Sequence, residues 1–176
     1  MAVLDEFFEH YRGRQVDFGY QDTYERRYTN AFVDSLGVGG FADAVSTGTA
    51  ALYVGLAAMQ LPAGSRVLVS PVTDPGTVSA IILNRLVPVL MDSASGSPNT
   101  GVEQVRDRLT ADIKAVVLVH TAGKAAEAGP IALLARERGV LLLEDCSQAH
   151  GAKWEGRQVG TFGDLAGFST MYRKAH

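Results

Sequence analysis

Apolar positions in the first part of the chain recur three and four residues apart. This holds over residues 3–12 (VLDEFFEHYR) and 24–36 (YERRYTNAFVDSL), and it is the spacing of one helical face. Both segments are predicted as helices, with Gly37 following the second as a C-cap glycine would. Beyond residue 40 the pattern changes to short apolar runs alternating with amphipathic stretches. The runs fall at 42–45, 66–69, 87–91, 115–119 and 140–143. Helices are predicted between them at 48–60, 77–84, 102–109 and 131–138, and a polar segment follows residue 143.

Runs such as AVVLV and VLLL are too apolar to leave one face in water, which is how strands read when helices cover both faces of a parallel sheet. Each connection holds a helix, long enough for a right-handed crossover. The predicted class is therefore α/β, with three layers and a mostly parallel sheet flanked by helices. No internal repeat interrupts it. Residues 93–100 (SASGSPNT) read as a polar loop and not as a linker.

Composition agrees with a folded chain. At 176 residues, 47% hydrophobic and 20% charged, one core can bury roughly 70% of the unfolded chain's surface. Sixteen Lys and Arg stand against nineteen Asp and Glu, with no block of like charge, so neither nucleic acid nor an anionic membrane is an expected partner. The single cysteine, Cys146, allows no internal disulfide. The N-terminus lacks a basic stretch leading into an apolar one, and no apolar run approaches the ~18 residues of a membrane span. The expected location is cytoplasmic.

Candidate chemistry follows from the strand ends, because open α/β sheets bind ligands outside the carboxyl ends of their strands. Those positions are polar here: Ser46 and Thr47, Ser70, Asp92, His120, and Glu144 with Asp145. Any one of them alone reads first as a turn or N-cap residue. The segment from Ser46 to Leu52 (STGTAAL) says more. A run, small hydroxyl residues and a glycine lead into a helix, so free N–H groups, hydroxyls and the positive helix end converge where a phosphate would fit. Standard nucleotide loops are missing. GVGGF at 37–41 precedes a run and lacks the third glycine, and Gly123-Lys124 is followed by Ala125. Cys146 and His150 have no second pair nearby, and no metal is assigned.

Past residue 140 three motifs follow in order: EDCSQAHGA at 144–152, VGTFGD at 159–164 and FSTMYRK at 168–174. Together with the STGTAAL loop and Ser70-Pro71-Val72-Thr73, this order resembles the DegT/DnrJ/StrS family of pyridoxal-phosphate (PLP) aminotransferases, collinear from about residue 40 to the end. The resemblance implies the large PLP-binding domain of the aspartate-aminotransferase fold (fold type I), incomplete at its C-terminus. A helical part at about 1–40 would precede an α/β part at about 41–176, with the small C-terminal domain absent. It implies a role for each matching residue. Lys174 matches the lysine that forms the Schiff base with the cofactor, where an amine nucleophile can also shuttle a proton. Asp145 matches the carboxylate that pairs with the pyridine nitrogen and keeps it protonated. Gln148 matches the residue beside the ring hydroxyl, and Gly48, Thr49 and Ser169 match the phosphate cradle. Plainer readings exist for each: an N-cap for Thr49, a strand hydroxyl for Ser169, a surface amide for Gln148 and a solvated surface lysine for Lys174. His150 reads as a structural hydrogen-bonding residue, and Cys146 as a small packed residue.

The implied activity moves an amino group from an amino acid such as glutamate to a keto sugar carried on a nucleotide, in a homodimer when full length. The alternative is a truncated, non-catalytic relative serving as a binding or assembly module, or an inactive fragment. For the 176-residue chain acting alone, that alternative ranks higher. A PLP-dependent sugar dehydratase would replace the lysine by histidine; Lys174 argues against it, and His176 comes two positions too late. One position departs from the family's pattern. Where many members carry a ring-stacking aromatic residue, this chain has Asp74 followed by Pro75, which reads as a polar contact or as a helix cap.

Overall fold

Alternate residues of the central strands point to opposite faces, and in this chain both sets are apolar. In the computed structural model, which describes residues 2–12 and 23–171, the apolar runs form a five-stranded sheet. Its strands are β1 (Arg66–Val69), β2 (Val87–Leu90), β3 (Ile113–Val119), β4 (Leu141–Asp145) and β7 (Leu165–Gly167). The order is β2-β1-β3-β4-β7 and every pairing is parallel. Two short strands, β5 (Lys153–Trp154) and β6 (Arg157–Gln158), make a separate antiparallel hairpin. Pro88 lies in β2, at the sheet's edge, where a missing N–H costs least.

Helices cover both faces. Val67, Val69, Ala115, Val117 and Leu143 pack with Leu52 and Leu56 of α3 (Gly48–Ala58) and Ala80 and Ile81 of α4 (Pro75–Leu83). On the other face Leu68, Val116, Leu118 and Leu142 pack with Val105 of α5 (Val102–Arg108) and Ile131 and Leu134 of α6 (Ala128–Glu137). The predicted three-layer α/β architecture is therefore the observed one. By contact density the chain divides into two units, 1–44 and 45–176. The first holds α1 (Ala2–Arg12) and α2 (Thr23–Leu36), where Arg27 pairs with Glu6 at 2.8 Å and Phe7 packs against Tyr11 and Tyr24.

The strand predicted at 42–45 is a correction. Those residues carry no regular structure and are exposed, and among the described residues no strand pairs with them. Apolar letters alone do not make a strand; a neighbour must supply N–H and C=O groups. Ser46 and Thr47 therefore do not end a strand. The polar segment after residue 143 instead continues β4 to Asp145 and contains β5 to β7.

Candidate functional site

Strand order places a crevice. The chain runs from β1 outward to β2, then returns across β1 to β3, so the order reverses between β1 and β3. Loops leaving the carboxyl ends on either side of such a point diverge and leave a crevice between them. Two bonds tie the loops at its floor: Ser70 Oγ accepts from Val119 N–H at 3.1 Å, and Thr121 Oγ1 donates to the Val72 carbonyl at 3.0 Å.

Asp145 ends β4 beside this point, in register with Val119 and Gly167, and only 3% of it is exposed. A carboxylate so buried needs donors. Thr77 Oγ1 donates to its Oδ2 at 2.7 Å and Ser147 N–H to its Oδ1 at 3.0 Å. Thr73 Oγ1 in turn donates to Thr77 Oγ1 at 2.7 Å. With about four lone-pair positions, an ionised carboxylate keeps acceptor capacity beyond these two bonds.

The start of α3 forms the second part of the site. Thr47, extended at φ −155° and ψ 161°, is the N-cap, and its hydroxyl accepts from Ala50 N–H at 3.0 Å. Thr49 is therefore not the cap; its hydroxyl lies against Gly76, where an added Cβ would collide with Thr49 Oγ1. Gly48 is just as constrained. A Cβ there would sit 2.8 Å from Ser169 Cβ and 3.3 Å from Ser147 Oγ. Only a glycine lets the helix end approach Ser169 so closely. Gly167 assists from β7, since a Cβ on it would meet Leu52 Cδ2 at 2.7 Å.

These contacts close on one another. Asp145 reaches Thr77, whose neighbour Gly76 touches Thr49; Asp145 also reaches Ser147, which touches Gly48 beside Ser169. Four sequence-predicted residues thus meet around one buried anion and one helix N-terminus. Gln148 joins through the loop after β3. Its Oε1 accepts from Ala122 N–H at 2.9 Å, which leaves its amide N–H groups as the donors it can offer. That loop is held hard: Asn99 accepts from Thr121 N–H at 2.8 Å and donates to the Lys124 carbonyl at 2.7 Å. Ala122 sits there at φ 56°, a region that costs a non-glycine residue about 1–3 kcal/mol and is typical of sites that fix a loop for a purpose. Lys174 lies outside the described residues.

The neighbouring motif residues are structural. His150 Nε2–H donates to the Ser169 carbonyl at 2.8 Å and its ring lies edge-on to Phe168, so it fixes the segment that presents Ser169. Asp74 caps α4, accepting from Gly76 N–H at 3.1 Å, which answers its two readings in favour of the cap. Cys146 is fully buried; burial, with the Glu144 and Asp145 charges added, pushes its thiol well up and away from nucleophilic use. Fully buried Glu144 accepts from His120 Nε2 (3.0 Å), Gly160 N–H (2.9 Å), Phe162 N–H (2.6 Å) and Gly163 N–H (2.8 Å). Burial alone would raise its carboxyl, but the bonds from His120, Gly160 and Gly163 win and hold it below the ordinary carboxylate value. His120, Glu144 and Cys146 bring potential ligand atoms within 4.8 Å of one another. Both His120 nitrogens are nevertheless committed, Nδ1 to Ala126 N–H at 3.1 Å and Nε2 to Glu144, so this cluster works as a strut.

Thr77, like Asn99, is a site residue missing from the sequence reading. In sequence it is an ordinary first-turn threonine of α4, 68 residues from the carboxylate it serves. Its one available signal was the cap Asp74-Pro75, which places residue 77 in the first helical turn, close to the strand end.

Comparison with known proteins adds the last observations. The sequence profile of the DegT/DnrJ/EryC1/StrS aminotransferase family matches residues 12–175. The GDP-perosamine synthase of Escherichia coli O157:H7 is 34% identical over 151 residues, covering 86% of this chain and 41% of the relative. The L-glutamine:2-deoxy-scyllo-inosose aminotransferase of Streptomyces kanamyceticus is 35% identical over 150 residues, covering 85% and 35%. Among solved structures, the aminotransferase from Psychrobacter cryohalolentis superimposes with a TM-score of 0.78 at 33% identity, covering 82% of this chain and 36% of that one. The chain thus spans well under half the length of each.

Proposed function

Because the chain belongs to the DegT/DnrJ/EryC1/StrS aminotransferase family, we propose that it forms the cofactor-binding part of a PLP-dependent aminotransferase acting on a keto sugar or cyclitol. The single observation that supports this most is the closed set of contacts around Asp145: a buried anion with spare acceptor capacity beside a helix N-terminus flanked by the Thr49 and Ser169 hydroxyls. That donor set suits PLP, whose pyridinium is cationic and whose phosphate is anionic.

Each residue then has a task set by its chemistry. Asp145 accepts from the ring N–H⁺, and its burial strengthens the pairing. The first N–H groups of α3, with the hydroxyls of Thr49 and Ser169, bind the phosphate, and Gly48 lets them converge. Gln148, its oxygen engaged by Ala122, turns N–H donors toward the ring oxygen. Lys174, carried across from the family's motif, attaches the cofactor and moves the proton at the reacting carbon. When bound, PLP supplies the electron sink that makes that carbon acidic. Asp74 caps a helix and does not stack on the ring, so ring orientation falls to Asp145 and Gln148.

An amino acid such as glutamate is the proposed donor, and a nucleotide-linked keto sugar the proposed acceptor. The relatives' names span a nucleotide-sugar product and an inosose, so acceptor choice is tested with both classes. Titration with PLP tests the cofactor reading. A saturable imine band, shifted from that of free PLP and abolished by Lys174→Ala, supports it, and a spectrum that remains the sum of wild-type chain and free PLP contradicts it. A homodimer is proposed for the full-length protein, and sedimentation as a monomer at every concentration would contradict that.

A further inference from the structure

The geometry points to Thr77 as a positioning residue that acts through Asp145: its hydroxyl aims and holds the carboxylate at the end of β4 for a cationic ring. This inference rests on the cofactor reading above and adds to it a residue for which that reading has no role.

Thr77 is 1% exposed, in the first turn of α4, and its only proton is committed. A hydroxyl has one donor, and the oxygen of Thr77 already accepts from Thr73 Oγ1 at 2.7 Å. The proton therefore goes to Asp145 Oδ2, also at 2.7 Å. Donation by Thr73 polarises Thr77 and strengthens that second bond. Ser147 N–H engages the other oxygen from its own side, so two bonds on two different oxygens fix the rotation of the carboxylate plane. Without Thr77, one oxygen of a nearly fully buried anion loses its donor and the plane is free to turn. The backbone N–H of Thr77 is spent on the Asp74 carbonyl at 3.1 Å, so the helix start itself stands without the side-chain hydroxyl.

The test is PLP affinity, measured by absorbance titration of the chain and its variants, with circular dichroism confirming the fold of each. Thr77→Val keeps the side chain's shape and removes the proton; Thr77→Ser keeps the proton and removes a methyl group. Thr77→Val is expected to weaken PLP about tenfold, the worth of one hydrogen bond to a charged group. Thr77→Ser is expected to stay within about twofold of wild type. In an Asp145→Ala background, Thr77→Val is expected to change affinity by less than about twofold, because the partner is gone. Wild-type affinity in Thr77→Val, an equal loss in Thr77→Ser, or a full loss in the Asp145→Ala background overturns the positioning role. If Asp145→Ala itself leaves PLP affinity untouched, the cofactor reading fails and this inference falls with it. A large Asp145→Ala loss beside an unchanged Thr77→Val overturns the inference alone.

Discussion

Glu144 and Asp145 are adjacent acids with opposite duties. Glu144 has both oxygens occupied by four donors, His120 and three N–H groups that tie residues 160–163 to β4, whereas the Asp145 side chain has two donors among the described residues and capacity to spare. Replacing Glu144 by Gln puts an NH2 where N–H donors point, so the change is expected to cost about 3 kcal/mol in denaturant unfolding at neutral pH. Its pH dependence has a defined sign. The folded carboxyl lies below its ordinary 4.5, so its contribution is present in full above that pH and is lost as pH falls through the lower folded value. Wild-type stability should therefore fall as pH drops below about 4.5, and Glu144→Gln should flatten that part of the curve. Gly48→Ala is expected to weaken PLP by at least about tenfold with little change in secondary structure, because the new methyl separates the helix end from Ser169.

Elements differed in how legible they were in the sequence. Three strands, β1, β3 and β4, were readable because both of their faces are buried and most of their residues are apolar, and the half-exposed edge strand β2 was readable from its apolar letters alone. Residues 42–45 have the same letters but no pairing partner among the described residues, and that information is not local. The strand β7 escaped notice for the opposite reason: three residues, Leu165-Ala166-Gly167, carry no periodicity, and β4 makes them a strand. At the site, motif order brought Gly48, Thr49, Asp145, Gln148 and Ser169 into view. Thr77 and Asn99 stayed hidden because each serves a partner distant in sequence, 68 residues away for Thr77 and 22 and 25 for Asn99. The cap of α3 is checkable on its own. Thr47→Ala should cost about 1 kcal/mol and Thr49→Val less in unfolding, whereas PLP affinity should suffer more from Thr49→Val.

At the scale of the molecule, the sheet brings loops that follow β1, β3, β4 and β7 and the starts of α3 and α4 together around Asp145. No helix among the described residues is long and apolar enough to cross a membrane. Exposed Tyr53, Val54, Ile82 and Leu83 place apolar surface on α3 and α4, the two helices whose starts form the site. The chain covers 41% of the E. coli synthase, so donor and acceptor recognition are proposals for the whole protein.

The proposed function requires that this fold hold PLP with Lys174 as its covalent anchor. Borohydride reduction of the chain mixed with PLP, followed by peptide mass spectrometry, tests it most directly. A pyridoxyl label is expected on the peptide bearing Lys174, lost in Lys174→Ala and reduced in Asp145→Ala. A label confined to Lys114, Lys124 or Lys153, or none at all, would contradict it.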